Sequence, residues 1–184
     1  MRIQSKLAEV RVNKVKVCRV ALWLSIVLSV VGLLLAQLLP DHISLAQWDA
    51  LPFLISFLVI LPAHEALHAV GLIIFARVSW SDIRFGATWR PLTLHCHCTV
   101  SILLRAYRQM ALLPLWITGG ATILLFLIFR ADWLGVLAGC TIASCVGDIW
   151  LVAKLKGLPD DLLVQDSSSQ IGCDVFSTIR ESAE

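Results

Sequence analysis

Residues 50–76 read ALPFLISFLVILPAHEALHAVGLIIFA, an apolar run of 27 residues whose only ionisable side chains are His64, Glu65 and His68. A helix crosses a bilayer with roughly 20 apolar residues, because ~30 Å of hydrocarbon is traversed at ~1.5 Å per residue. The stretch therefore predicts a transmembrane helix, and one with chemistry at its centre. Three other stretches reach the same length: residues 17–39, 109–129 and 133–153.

Composition agrees with four spans. The chain has 184 residues, of which 58% are hydrophobic and 15% charged, with a mean hydropathy of +0.82. Water-soluble domains carry about 25% charged residues, so a soluble fold is excluded. The net charge of +2 is made of basic clusters between apolar runs and gives no support for nucleic-acid binding. Only the region beyond Ser167 is polar enough to be loose.

Basic residues stay on the cytoplasmic side of a membrane. Arg2, Lys6, Arg11, Lys14, Lys16 and Arg19 surround the start of span one. The next connection holds Asp41 and Asp49 without Lys or Arg. The one after holds Arg77, Arg84, Arg90, Arg105 and Arg108, and Lys154 and Lys156 follow span four. This alternation predicts a multi-pass protein of the plasma membrane with both termini in the cytoplasm and a cytoplasmic tail over 154–184. Span one is too long for a secretory signal core of ~7–15 residues and is read as a retained anchor. The expected fold is an all-α integral membrane protein, one domain over 1–184, with small cytoplasmic β-hairpins. Six cysteines facing a reducing compartment or lying within span four are expected as free thiols.

Two carboxylates fall inside spans, Glu65 and Asp148. Each costs ~2.5–3.5 kcal/mol at a helix centre and so marks a functional-site candidate. In His64-Glu65-Ala66-Leu67-His68, the two imidazoles stand one helical turn apart on one face and can chelate a zinc ion, while Glu65 can deprotonate water. The alternative is a pair of packing histidines bonded to backbone. A catalytic zinc takes a third protein ligand. Asp148 lies six residues before Lys154, and His68 nine before Arg77, depths of ~9 and ~13 Å in the same leaflet at the helical rise. Metal ligands are thus His64, His68 and Asp148, with Glu65 catalytic. Asp148 has its own alternatives, pairing with a nearby base or snorkelling. Pro62, Pro114, Gly119-Gly120 and Gly147 are expected to bend or closely pack the helices around this level.

The run His95-Cys96-His97-Cys98 offers four metal-capable groups, but in a β-prone stretch from Leu92 to Leu103 its histidines face one way and its cysteines the other. Packing, a separate zinc site or a contribution of His97 to the main site are the readings open to it. Residues 78–101 predict a hairpin whose edge can align a substrate by strand addition. The alternation of Leu163, Val164 and Asp166 with Ile171, Cys173 and Val175 predicts a second hairpin.

These features together resemble the zincin peptidases of integral membranes, whose motif logic is similar to that of site-2 intramembrane proteases. The resemblance rests on His64-Glu65-x-x-His68, His97-Cys98, Tyr107-Arg108, Leu113-Pro114, Gly147-Asp148, Leu163-Val164-Gln165-Asp166 and Gly172-Cys173, between about Leu61 and Phe176. It implies a Zn2+-dependent metallopeptidase whose ligand positions match His64, His68 and Asp148 and whose catalytic position matches Glu65. Site-2 proteases carry an Asp-Gly pair at the third ligand, whereas here Asp148 follows Gly147 and precedes Ile149. Expected partners are the lipid bilayer and a membrane-protein or peptide substrate. The rival readings are a non-catalytic membrane scaffold and a metal-binding or transport protein.

Overall fold

The computed structural model describes residues 3–40, 50–89, 92–167 and 172–178. The expected loop charges Asp41 and Asp49, together with Arg2, Arg90, Ser168, Ser169 and Ile171, lie outside the described residues. The fold is mostly helical with antiparallel strands. In chain order the elements are β1 (Ile3–Arg11), α1 (Lys14–Leu38), α2 (Ala50–Ala76), β2 (Ile83–Trp89), β3 (Leu92–Cys98), β4 (Ile102–Leu103), α3 (Leu104–Pro114), α4 (Gly120–Phe129), α5 (Asp132–Ser144), α6 (Val146–Lys154), β5 (Leu163–Asp166) and β6 (Gly172–Thr178).

Four helical stretches are long and apolar enough to cross a membrane: Lys14–Leu38, Ala50–Ala76, Leu104–Phe129 and Asp132–Lys154. The second matches its expected limits. The third begins five residues earlier than the apolar run suggests, taking Arg105 and Arg108 into its first turns. The cause is long-range: the Leu104 N–H bonds to the Leu162 carbonyl at 2.8 Å and the Arg105 N–H to the Asp160 carbonyl at 3.2 Å, so the tail anchors the helix start. The fourth is not one helix, because Cys145 (φ −79°, ψ 0°) separates α5 from α6. Helix α2 stays continuous through Pro62, and α3 ends at Pro114 in a π-helical turn over Leu115–Gly119. The α2 terminus closes on a left-handed residue: Arg77 adopts φ +55° and the Val78 N–H reaches back to the Leu72 carbonyl at 3.2 Å.

The chain divides into two compact units. One comprises residues 15–64 and 112–147, with α1, the first half of α2, α4 and α5. Here α1 meets α5 backbone to backbone, since a Cβ on Gly32 would stand 2.5 Å from the Gly135 carbonyl oxygen and one on Gly139 2.6 Å from the Ser29 nitrogen. Ala36, Phe126, Ala131, Leu134 and Leu137 form its buried cluster. Small residues permit such close approach between helices in apolar surroundings.

The other unit comprises residues 1–14, 65–111 and 148–184. Its antiparallel sheet runs β1-β6-β5-β4, while β2 and β3 form a separate hairpin. Both predicted hairpins are present, but β1 was not expected, because its basic residues were read only as a membrane flank. Those same residues serve the sheet: Arg11 donates to the Asp174 carboxylate at 2.7 Å and Lys6 pairs with it at 3.1 Å. Gly172 opens β6 at φ +149°, where a Cβ would stand 2.1 Å from the Val10 carbonyl oxygen. That explains a glycine at this edge.

Candidate metal centre

Helix α2 presents His64 and His68 one turn apart, both buried, with Glu65 partly buried between them. The division between the units falls inside this unbroken helix, so helical geometry itself sets His64 relative to His68. Within the second unit described above, His68 Nε2 lies 3.6 Å from Asp148 Oδ1, in the first turn of α6. One ligand atom from each of His64, His68 and Asp148 lies within 4.8 Å of the others. This is the only such metal-capable group among the described residues. The three expected ligand residues therefore come together, and among the described residues His97 lies outside that group.

The donor set fits zinc. Two atoms bound tetrahedrally at ~2.0–2.1 Å stand about 3.3 Å apart, a few tenths less than the distance between His68 Nε2 and Asp148 Oδ1. The other ring nitrogen, His68 Nδ1, lies 3.3 Å from the Met110 carbonyl oxygen. A carbonyl only accepts, so Nδ1 donates, and in the neutral ring Nε2 carries the lone pair on the side of the carboxylate. A cation held between that nitrogen and the carboxylate would be shared by both, and a proton on Nε2 would make the same contact an ion pair. Orientation of a ligating histidine through its second nitrogen is the usual outer support of a zinc ligand. Met110 is held close by Gly71 of α2, where a Cβ would meet the Met110 Cα at 3.0 Å.

Cys145 adds a neighbour that sequence reasoning took only as a free thiol. It is fully buried at the break before α6, with Sγ 4.0 Å from His64 Nδ1 and 3.5 Å from the Thr141 carbonyl oxygen to which it donates. Its place three residues before Asp148 was the available signal. The Met110 carbonyl had none, because backbone groups carry no residue signature.

Strand β3 carries the remaining histidines and cysteines of the His95–Cys98 run. Burial, together with the charges of Glu65 and Asp166, pushes the Cys96 thiol up to about 12. His95 stacks against His97 with ring centroids 6.3 Å apart, and its ring covers Gly86 on the neighbouring strand, where a Cβ would stand 2.3 Å from Nε2. Among the described residues these histidines and cysteines form no metal-capable group, and His95 packs.

A family model described as "Putative zincin peptidase" matches residues 57–163, more than half of the chain. No curated protein and no solved structure matches it.

Proposed function

We propose that this chain, which belongs to the putative zincin peptidase family, is a zinc metallopeptidase that hydrolyses peptide bonds within or beside a membrane. The observation that carries the reading is the convergence of His64, His68 and Asp148, with Glu65 following His64 in the same helix. His64, His68 and Asp148 would hold Zn2+. Bound there, zinc polarises a carbonyl and acidifies water near neutral pH.

Glu65 supplies the proton traffic. One carboxylate oxygen takes a proton from the attacking water as its oxygen bonds to the scissile carbon. The same carboxyl then gives that proton to the amine nitrogen as the C–N bond breaks. The Met110 carbonyl, accepting from Nδ1, favours the tautomer whose Nε2 carries the lone pair.

The substrate is a membrane protein or peptide, and β3 gives it a place. The Cys98 N–H points away from β2 and is taken by the Asp166 carboxylate at 3.0 Å. By strand alternation the backbone groups of Leu94 and Cys96 share that edge, and the charge of Glu65 reaches the Cys96 thiol. An extended segment added along this edge lies beside the catalytic carboxylate, consistent with strand-addition recognition.

Site-2-protease-like action, residence in the plasma membrane and cytoplasmic termini complete the proposal. The basic clusters of Lys14, Lys16, Arg77, Lys154 and Lys156 support that orientation. Purified chain should contain one zinc, reduced in His64→Ala and His68→Ala. A metal-free wild type that stays folded would overturn the reading.

A further inference from the structure

The tail motif and three other motifs lie outside the proton-transfer scheme above, yet they meet at one side chain. Asp166, at the end of β5, accepts the Cys98 N–H at 3.0 Å, and the hydroxyl of buried Tyr107 favours its charged form. Its cross-strand partner is Cys173, fully buried, whose thiol also adjoins Tyr107. Burial raises the Asp166 carboxyl above its ordinary range, while those two donors oppose the rise. The fold has thus brought a carboxylate into partial burial and matched it with donors from two other elements.

Both donors lead to the metal centre. Tyr107 lies one turn before Met110 on α3, and the Met110 carbonyl is the group that orients His68. The following residue, Arg108, ties the same helix to the tail through the Leu158 carbonyl at 3.1 Å and through Asp160. Cys98 ends the strand that carries Cys96, whose thiol senses Glu65. One carboxylate therefore connects the helix behind His68 with the strand beside Glu65.

We infer that Asp166 is a positioning residue of the metal centre, setting the Met110 carbonyl on His68 through Tyr107 and the β3 edge beside Glu65 through Cys98. Strand β5, through Asp166, is then a working part of the site. This inference rests on the metallopeptidase reading.

The test uses the full chain in detergent and measures Zn2+ affinity by competition with a chromogenic chelator, alongside thermal unfolding. Loss of an outer partner of a zinc ligand weakens metal binding about 10–100-fold. Asp166 acts through one intermediary, so Asp166→Asn should weaken zinc about tenfold, the lower end of that range. Tyr107→Phe, which removes a single oxygen from a buried ring, should do the same, and the double variant should be no weaker than either alone because the two belong to one path. Val175→Ala, a fully buried truncation in β6 outside the network, should lower the unfolding temperature and leave zinc affinity intact. Unchanged affinity in Asp166→Asn and Tyr107→Phe would overturn the inference, as would an equal loss in Val175→Ala. A wild type without zinc would instead remove the metallopeptidase reading and this inference with it.

Discussion

Replacing Asp148 with Ala should weaken zinc binding about a hundredfold. The structure places its Oδ1 3.6 Å from His68 Nε2 and leaves its side chain 24% exposed. The carboxylate thus reaches the site from its edge, and water can enter when it is gone. Apparent zinc binding by four protein ligands contributes about 10–16 kcal/mol, so one ligand's share is roughly 3 kcal/mol. At ~1.4 kcal/mol per tenfold, that is about two orders of magnitude before water takes up part of the vacancy. Asp148→Asn keeps the shape and removes the charge, and should fall between Ala and wild type while leaving the helix break at Cys145 undisturbed. Competition against a chelator of known affinity, on protein in detergent, reads both variants directly. An Asp148→Ala affinity within about threefold of wild type, far below one ligand's share, would refute the assignment. It would bring His97 forward as the third ligand.

Cys96, with its thiol raised to about 12, should be alkylated at pH 8 roughly a thousandfold more slowly than a cysteine of ordinary pKa near 8.5, in proportion to thiolate. Its rate should climb about tenfold per pH unit up to that pKa, and labelling at the speed of free cysteine would contradict its half-buried placement within the field of Glu65. Gly139→Val should destabilise the packing of α1 on α5 by about 1–3 kcal/mol, the usual cost of forced overpacking, because its Cβ would stand 2.6 Å from the Ser29 nitrogen. Thermal unfolding measures this, and an unchanged midpoint would mean that the two helices are not held at backbone contact.

The helices and the candidate ligands were legible in the sequence because hydropathy and cost both act locally. Glu65 and Asp148 stand out against apolar runs whatever the tertiary structure. The break at Cys145 was not legible, since nothing in Ser144-Cys145-Val146 is a helix breaker, and tertiary packing decides it. The early start of α3 depends on carbonyls of Asp160 and Leu162, more than fifty residues away. Strand β1 was hidden for another reason. Its lysine and arginine side chains satisfy both a membrane-flank reading and an ion-paired sheet edge, and only Asp174 across the sheet separates them. Tyr107 and Asp166 were visible as motif members but not as partners, because their contact spans fifty-nine positions of sequence.

The central claim is that Glu65 moves protons in peptide hydrolysis and does not hold the metal. Glu65→Gln removes the proton acceptor while preserving size and hydrogen bonding, so it tests this claim apart from folding. Expressed in place of wild type, the variant should purify with one zinc and an unchanged unfolding temperature, and cells carrying it should accumulate an uncleaved membrane-protein substrate. A Glu65→Gln chain that holds its zinc and still cleaves at the wild-type rate would contradict the account.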